Sequence, residues 1–282
     1  MSQSPMVIKT VAELRHVTDG WRADGEASAL VPTMGALHAG HLSLVDVGRE
    51  RAQRVVASIF VNPAQFAPSE DLDTYPRDEA GDLAKLHERD TDLVFMPAGE
   101  EMYPADFSTS VQVGGLSEGL CGASRPHFFG GVATVVAKLL IQARCDYAVF
   151  GEKDYQQLLV VRRMARDLDI PTEIVGAPII REDDGLAMSS RNQYLDDQQR
   201  QMAPHLHATL QSVAECIRSG TDAAEATSQG TQVLGQAGFD IDYLDLRDAE
   251  TLEPLPALEG TPARLFAGAY LGKTRLIDNI AV

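Results

Sequence analysis

Short apolar runs alternate with helical patterns over the first 178 residues, and this alternation constrains the fold more than any other feature of the chain. The runs predict strands at residues 29–31, 55–61, 93–96, 147–150 and 173–175. The segments between them predict helices, most clearly at 41–54, 78–89, 131–144 and 155–168. Strands that alternate with helices form a parallel sheet with helices on both faces. We therefore expect an α/β, doubly wound, Rossmann-like domain over 1–178 that binds its ligand at the carboxyl ends of the strands.

The pattern changes after Pro178, which we interpret as a hinge. Residues 179–282 predict a smaller α+β domain, and the cleft between two such domains is a common binding place. The predicted elements are a short strand near Ile179, a turn at Gly185, helices at 196–219 and 223–237, and strands at 241–246 and 264–271. The acidic residues near the first of the two longer strands are expected to face solvent rather than bind a metal: Asp240, Asp242, Asp245 and Asp248.

The most informative local stretch is PTMGALHAGH at residues 32–41, between the first predicted strand and the helix after it. Gly35 and Gly40 permit a tight turn, so His38 and His41 are aimed at one site. The first N–H groups of a helix lack intrahelical partners and its dipole favours negative charge, which makes such a turn an anion site. Imidazoles donate hydrogen bonds and can be charged near neutral pH. The stretch predicts phosphate binding; the alternative is that the two histidines only cap the helix.

Two further motifs follow the predicted elements in ways that suit a nucleotide. GEKDYQQ at 151–157 comes directly after a strand and places Lys153 where it can neutralise phosphate charge. AMSSRN at 187–192 supplies hydroxyls and a guanidinium from the second domain, and such donors would close over a triphosphate. Alternatively, Lys153 is an ordinary exposed lysine and the Ser-Ser-Arg-Asn sequence is an ordinary turn.

Amide side chains and a polar segment follow the second predicted strand. Asn62 and Gln65, in FVNPAQF at 60–66, add hydrogen-bonding capacity without charge, which suits a hydroxy acid. The segment 68–73 lacks clear periodicity, and we interpret it as a lid that keeps water from a reactive intermediate.

The formal net charge of −17 argues against nucleic acid as a partner, because binding a long polyanion usually needs a basic face. A small anionic substrate held by local basic groups remains compatible with this charge. The chain has no apolar stretch long enough to span a bilayer and no basic segment followed by an apolar one at its amino end. We therefore expect a cytoplasmic protein without a membrane partner. The scattered cysteines, Cys121, Cys145 and Cys216, suggest neither zinc nor a redox motif.

Four motifs in this order, PTMGALHAGH, FVNPAQF, FGEKDYQQ and LAMSSRNQYL, resemble the pantothenate synthetase family over nearly the whole chain. Any one of them would indicate only the wider HxGH nucleotidyltransferase group, whereas the four together are specific. The resemblance implies an AMP-forming ligase of coenzyme A biosynthesis. The carboxylate of (R)-pantoate would attack the α-phosphorus of ATP to give pantoyl adenylate and pyrophosphate, and β-alanine would then displace AMP to form pantothenate. The resemblance also implies Mg²⁺ with the ATP and a homodimer.

The resemblance assigns roles to residues at the matching positions. Those implied to act in catalysis are His38, His41 as the candidate proton donor, Lys153, Ser189, Ser190 and Arg191. Those implied to contact ATP are Pro32, Met34, Gly35, His38, Gly40, His41, Gly151, Glu152, Lys153, Asp154, Ile180, Met188, Ser189, Ser190 and Arg191. Those implied to contact pantoate or β-alanine are Met34, Asn62, Gln65 and Gln157. Asp82, on the helix at 78–89, is a candidate Mg²⁺ ligand.

One segment departs from the family pattern Arg-Pro-x-His-Phe-x-Gly-Val. Here residues 125–132 read RPHFFGGV, so Phe128 stands where the family has histidine. Either His127 takes over from the neighbouring position or Phe128 simply packs there, and we favour packing. Arg125 is expected to be available for an anion.

Two other classes of function stay open at this point. The first is a truncated class I aminoacyl-tRNA synthetase or another nucleotidyltransferase, although the sequence offers neither an anticodon-binding domain nor a basic face for tRNA. The second is a regulatory module that binds a nucleotide without catalysis. A module of that kind does not account for separate phosphate-binding and acid-binding groups.

Overall fold

A six-stranded parallel sheet forms the centre of the first part of the chain. Its strands are β1 (Met6–Ile8), β2 (Ser28–Thr33), β3 (Arg54–Ile59), β4 (Leu93–Phe95), β5 (Tyr147–Gly151) and β6 (Glu173–Ala177). They are ordered β1-β4-β3-β2-β5-β6, and every pairing is parallel. The predicted α/β doubly wound fold is confirmed, and each predicted strand of this domain is present.

The computed structural model describes residues 4–68, 70–258 and 260–282. Met1 to Gln3, at the amino end, and Ser69, in the predicted lid, lie outside the described residues. Among the residues described, no helix combines the length and the apolar character that crossing a bilayer requires.

Helices cover both faces of this sheet. They are α1 (Val11–Ala23), α2 (Ala39–Arg51), α3 (Glu79–His87), the short α4 (Gly99–Met102) and α5 (Cys121–Ser124), α6 (Phe128–Ala143) and α7 (Tyr155–Asp167). On one face Leu14, Leu140 and Leu158 of α1, α6 and α7 belong to one buried cluster. On the other face Val45 of α2 and Leu86 of α3 belong to a second cluster. Burial of these apolar side chains stabilises the sheet from both sides.

The strand order reverses at β2, which pairs with β3 on one side and with β5 on the other. Such a reversal leaves a crevice at the carboxyl ends of the two strands, where ligands bind in open α/β sheets. The histidine stretch follows β2, the GEKDYQQ stretch follows β5 and the amide stretch follows β3. The topology therefore brings three separate sequence motifs to one edge of the sheet.

A second, smaller unit packs helices on an antiparallel sheet. Its elements are α8 (Asp197–Met202), α9 (His205–Arg218), α10 (Ala223–Gln236), β7 (Phe239–Asp248), β8 (Ala263–Leu271) and β9 (Thr274–Ala281). The strands are ordered β7-β8-β9. Leu210, Leu234 and Leu265 of α9, α10 and β8 are fully buried in its core. The predicted α+β character is confirmed. The boundary at residues 178 and 179 stays a prediction, and it falls between β6 and α8.

Several elements differ from the sequence prediction. The strand expected near Ile179 is wrong, since only an isolated bridge between Arg181 and Ala187 forms nearby. The helix expected over 196–219 is two helices, α8 and α9, separated around Pro204, because proline lacks the N–H that would continue the first one. β1, α1 and β9 were not predicted.

A buried ion pair fastens the segment that joins the two units. Arg181 donates to both carboxylate oxygens of Asp278 on β9, at 2.6 and 2.9 Å. The Nδ1 atom of His207 lies 3.4 Å from the same carboxylate, whose side chain is 2% exposed. Burial alone would raise the pKa of Asp278, but the nearby His207 ring and the ion pair with Arg181 lower it below its ordinary value. The pair therefore favours folding at neutral pH.

We expect Asp278→Ala to lower the free energy of unfolding by about 3 kcal/mol, because it leaves a largely buried guanidinium without its partner. The matched control is Asp184→Ala, which removes an exposed partner of Arg200 and should cost less than about 1 kcal/mol. Urea unfolding at neutral pH measures both. Since the pKa of Asp278 is lowered in the folded state, the contribution of its carboxylate to the free energy of unfolding is present above pH 3.8 and is lost as the pH falls below that value. Equal losses of free energy of unfolding in Asp278→Ala and Asp184→Ala would contradict the stabilising role of the buried pair.

Candidate active site

A cavity of about 1270 Å³ lies between the carboxyl ends of the parallel strands and the smaller unit. The candidate residues that line it are Pro32, Met34, His38, Gly40, His41, Asn62, Gln65, Gly151, Lys153, Asp154, Gln157, Ile180, Met188, Ser189, Ser190 and Arg191. Of the other candidates, Gly35, Asp82 and Glu152 lie beside this lining. Pockets for one small molecule are about 300–1000 Å³. The cavity is therefore large enough for a nucleotide together with a second substrate.

The loop between β2 and α2 is held by Asp82 of α3. The Asp82 carboxylate accepts the N–H groups of Ala36 and Leu37 at 2.8 and 2.7 Å, and its side chain is 1% exposed. Lys85, one turn further along α3, donates to the Leu37 carbonyl at 2.8 Å. Gly35 sits at the start of this loop, where its N–H donates to Thr33 Oγ1 at 3.2 Å. Both oxygens of Asp82 are therefore used to hold the histidine loop. This use argues against the expected role of Asp82 as a Mg²⁺ ligand.

His38 and His41 use one ring nitrogen each for capping and keep the other. Nδ1 of His38 accepts the Gly40 N–H at 3.2 Å, and Nδ1 of His41 accepts the His38 N–H at 3.4 Å. A ring nitrogen that accepts an N–H carries no proton itself, so each neutral ring carries its proton on Nε2. The ring centroids are 4.1 Å apart. Capping and ligand binding are therefore not alternatives, because each ring retains an Nε2–H donor after it has capped α2.

Gly40 allows the His38 ring to fold back over the helix start. A Cβ atom at this position would lie 2.9 Å from Cε1 and 3.0 Å from Nδ1 of His38. Any larger residue would push the ring from its capping position and turn its Nε2 away from its present direction.

Both imidazoles are neutral at pH 7 in this structure. Burial, followed by the positive charges of Lys153 and Lys85, lowers the pKa of His38 to about 4. Burial, followed by His38 and the same lysines, lowers the pKa of His41 to about 3. Without a ligand the pair therefore offers neutral N–H donors. A phosphate beside them would raise both pKa values, because an opposite charge favours the protonated form.

The turn that carries Lys153 is hydrogen-bonded to the smaller unit. A single 3₁₀ turn, Glu152–Asp154, follows β5. Asn279 of β9 is 2% exposed and donates through Nδ2 to the carbonyls of Glu152 and Lys153, at 2.9 and 3.0 Å. The Glu152 carboxylate lies 3.4 Å from the Arg264 guanidinium. These contacts direct Glu152 toward Arg264 and fix the backbone from which Lys153 enters the cavity.

The Ser-Ser-Arg loop, on the segment between β6 and α8, reaches the histidine loop directly. Ser189 caps the 3₁₀ helix Ser190–Tyr194 by accepting the Arg191 N–H at 3.3 Å. The Ser190 hydroxyl donates to the Ala36 carbonyl at 3.2 Å, two residues before His38. The two serine hydroxyls and the paired imidazoles thus meet at the same cavity.

Arg191 is engaged by the segment predicted as a lid. Its guanidinium donates to both oxygens of Asp71, at 3.1 and 2.9 Å. Tyr194 donates to the Thr74 carbonyl at 3.1 Å. The segment around Asp71 is therefore tied to the smaller unit and forms part of the cavity wall.

A second arginine, Arg125, forms an ion pair with Glu70, the acid next to Asp71. Arg125 donates to both oxygens of Glu70, at 2.7 and 2.6 Å, and its guanidinium carbon lies 3.8 Å from the Phe128 ring centroid. That Arg125 binds an anion stays a prediction, and in this structure the Glu70 carboxylate occupies its guanidinium. Phe128 packs against Arg125 and Phe129, as favoured from the sequence, while His127 is exposed on the cavity wall.

The amide site rests on a close contact between α6 and the 3₁₀ turn Pro63–Gln65. A Cβ atom at Gly131 would lie 2.3 Å from the Ala64 carbonyl oxygen, so only glycine lets this turn sit against α6. Asn62 and Gln65 are 1% and 8% exposed, and the Asn62 amide donates to Gln65 Oε1 at 3.0 Å. Gln157 also lines the cavity, whereas the adjacent Gln156 bonds the Leu116 and Gly119 carbonyls.

Sequence reasoning missed several residues of the wall. They are the lid acids Glu70 and Asp71, the nearby Tyr75, and the apolar side chains Phe60, Val132, Val135, Val136, Leu139 and Phe150. The apolar group has a signal in the sequence, because α6 is apolar around its whole circumference. The acids have none, since ion pairs between distant segments follow only from the fold.

The comparisons with known proteins agree with this geometry. A family model described as pantoate-beta-alanine ligase matches residues 6–281. The chain belongs to the pantoate-beta-alanine ligase family. Relatives of this ligase family named pantothenate synthetase include one from Rhodospirillum rubrum, 56% identical over 98% of both chains. Another, from Paramagnetospirillum magneticum, is 55% identical over 100% of this chain and 99% of the relative. The predicted family and enzyme class are confirmed.

Solved structures of the pantoate-beta-alanine ligase family share the whole fold. The crystal structure of pantothenate synthetase from Thermus thermophilus superimposes with a TM-score of 0.91 at 48% identity and covers 98% of both chains. A pantoate-beta-alanine ligase from Francisella tularensis, complexed with beta-gamma ATP and beta-alanine, gives 0.83 at 30% identity, covering 98% of this chain and 97% of that one. Both units of the chain therefore belong to the family fold.

We expect the His38 and His41 side chains to stay neutral and Nε2-protonated in the protein alone, from about pH 8 down to about pH 5. Nitrogen-15 spectra of the imidazole rings report this, with signals assigned by their loss in His38→Gln and His41→Gln. In the unfolded chain both rings take up a proton near pH 6.5, whereas in the folded protein they do so only near pH 4 for His38 and pH 3 for His41. Their titration therefore leaves the free energy of unfolding unchanged above pH 6.5 and lowers it as the pH falls below 6.5. A ring that titrates near 6.5 would contradict the assignment.

His127→Ala should change kcat/KM less than about twofold, because the ring is exposed and Phe128 already fills the packing position. A steady-state assay of ligase activity measures this. Loss of most activity in a variant that still unfolds cooperatively would show instead that His127 replaces the family histidine.

Proposed function

We propose that this chain condenses (R)-pantoate with β-alanine to give pantothenate, through pantoyl adenylate, with release of AMP and pyrophosphate. The observation that carries the proposal is the meeting of the Ser-Ser-Arg loop with the paired-histidine loop, joined by the bond from Ser190 to Ala36. Donors from both units then surround a space of nucleotide size. Lys153 enters the same space from the carboxyl end of β5.

In the first step, a carboxylate oxygen of pantoate attacks the α-phosphorus of ATP, and the bond to the β-phosphate bridging oxygen breaks. Negative charge accumulates on the phosphate oxygens during this exchange. The Nε2–H groups of His38 and His41 and the ammonium of Lys153 are preorganised to stabilise that charge. His41, the more deeply buried of the pair, is the group we assign to hydrogen-bond the departing pyrophosphate through Nε2–H. It transfers a proton only from its imidazolium form, which takes up that proton from solvent when phosphate lies beside the ring and raises its pKa.

The loop from the smaller unit holds the β- and γ-phosphates in this proposal. Ser189 and Ser190 supply hydroxyls, and Arg191 supplies a planar fork that matches phosphate oxygens. The fork is already held by Asp71, which stands where a phosphate would bind. Binding of the triphosphate would therefore exchange a carboxylate for a phosphate on Arg191 and loosen one attachment of the lid.

Pantoate fits the inner end of the cavity. The apolar side chains of Phe60, Val136 and Leu139 can cover its methyl groups, and the amides of Gln65 and Gln157 can bind its hydroxyl and carboxylate oxygens without adding charge. Met34 packs beside Gln65, whose Nε2 lies 3.0 Å from the Met34 sulfur. This arrangement keeps the attacking carboxylate next to the histidine pair.

In the second step, the amine of β-alanine, after losing a proton, attacks the acyl carbon of pantoyl adenylate, and the bond to the AMP oxygen breaks. An acyl phosphate is a good acylating agent because its leaving group is a stable phosphate anion. The wall formed by Phe66, Glu70 and Tyr75 would keep water from reaching this intermediate first.

Mg²⁺ would accompany ATP through the phosphate oxygens and water, as it does in many nucleotide sites. Over residues 4–68, 70–258 and 260–282, no group of three or more histidine, cysteine, aspartate or glutamate side chains could hold a metal ion. The family resemblance also leads us to propose a cytoplasmic homodimer that acts on small molecules, without nucleic acid or membrane as a partner.

We expect His41→Ala to lower the rate of adenylation by about a hundredfold or more, as for loss of one preorganised donor to a developing charge. Pantoate-dependent exchange of labelled pyrophosphate into ATP measures this step without β-alanine. His16→Ala, an exposed histidine on α1, is the matched control and should exchange at the unaltered rate. Near-normal exchange by His41→Ala would remove its catalytic role, and exchange with an amino acid but not with pantoate would overturn the proposed function.

A further inference from the structure

Tyr103 stands directly behind the acid-binding amides, outside the lining of the cavity. It follows α4 and packs its ring against Phe60 and Phe107, with centroids 6.1 and 5.1 Å apart. The Lys138 ammonium lies 5.9 Å from the same ring. Burial raises the pKa of Tyr103 to about 12, so its hydroxyl remains a proton donor over the working range of pH. The hydroxyl donates to Asn62 Oδ1 at 2.7 Å.

The orientation of the Asn62 amide follows from two backbone partners whose polarity is fixed. The Ala64 N–H can only donate, and it lies 3.3 Å from Oδ1. The Gly131 carbonyl can only accept, and it lies 3.2 Å from Nδ2. Turning the amide over would place donor against donor and acceptor against acceptor. Oδ1 therefore faces Tyr103, and the second hydrogen of Nδ2 faces Gln65.

The same reasoning fixes Gln65. Because Asn62 donates to Gln65, the atom that it meets must be Oε1, at 3.0 Å. The Nε2 group of Gln65 then points to Met34 and the cavity. Gln65 consequently presents N–H donors, not a carbonyl, to the substrate. A substrate group at this point must be an acceptor, such as a hydroxyl or carboxylate oxygen.

We propose that Tyr103 is a positioning residue for the acid substrate, acting through Asn62 to hold the Gln65 amide with its donors toward pantoate. The three side chains form one chain of hydrogen bonds, Tyr103 to Asn62 to Gln65, that begins outside the cavity and ends on its wall. Tyr103 supplies the shortest bond in that chain and the one side-chain bond that Asn62 Oδ1 receives among the described residues. The inference rests on the proposed function, since it takes Gln65 to contact pantoate.

Tyr103→Phe tests the inference because it removes the hydroxyl and keeps the ring that packs on Phe60 and Phe107. We expect the KM for pantoate to rise about fivefold, the effect of one neutral hydrogen bond, while kcat and the KM for ATP stay within about twofold. Tyr147→Phe, at a half-buried tyrosine of β5 outside the cavity lining, is the matched control and should change none of these constants. Pyrophosphate exchange at varied pantoate and ATP concentrations gives all of them.

A double-mutant cycle separates positioning from a general structural role. In a Gln65→Ala background, adding Tyr103→Phe should leave the KM for pantoate unchanged within about twofold, because the hydroxyl then has no amide to hold. A further rise in that background would overturn the inference, and so would an unchanged KM in Tyr103→Phe alone, or equal rises in the KM values for pantoate and ATP. If the unaltered protein shows no pantoate-dependent exchange, the proposed function fails, and the inference fails with it.

Discussion

The parallel pairing of β2 with β5 is the constraint on which the site depends. Because β3 lies on the other side of β2, the chain leaves the sheet in opposite directions from neighbouring strands and opens a crevice at their carboxyl ends. The histidine loop, the lysine turn and the amide turn all begin at that edge. Strand order therefore brings together the histidine loop after β2 and the lysine turn after β5, which lie about 120 residues apart in sequence.

In the histidine loop, the side-chain atoms that hold the backbone are different from the atoms that face the ligand. Asp82 uses both carboxylate oxygens on the Ala36 and Leu37 N–H groups, and each histidine uses Nδ1 for capping. What remains for a substrate is Nε2–H, a neutral donor kept in place by partly buried hydrogen bonds. Such rigidity lets a donor stabilise developing charge without reorganising as the charge appears.

The fold and the turns that carry the histidines, Lys153 and the amides could be predicted from the sequence, because periodicity marks buried strands and glycine marks tight turns. Most of the remaining lining of the cavity could not be predicted. The elements missed are those with weak periodicity, such as β1, only three residues long, or those that need a partner strand, such as β9. The partners of Arg125 and Arg191 could not be predicted, since Glu70 and Asp71 meet them only after the chain has folded.

The hydrogen bonds from Asn279 to the carbonyls of Glu152 and Lys153 link the movements of the two units. The residue belongs to β9 of the smaller unit, while the turn it holds belongs to the end of β5. A swing of the smaller unit would pull on the backbone that carries Lys153, so the placement of this lysine in the cavity is coupled to the position of that unit. The turn after β5 is therefore positioned by both halves of the chain, and a wide separation of the halves would displace Lys153 from the cavity.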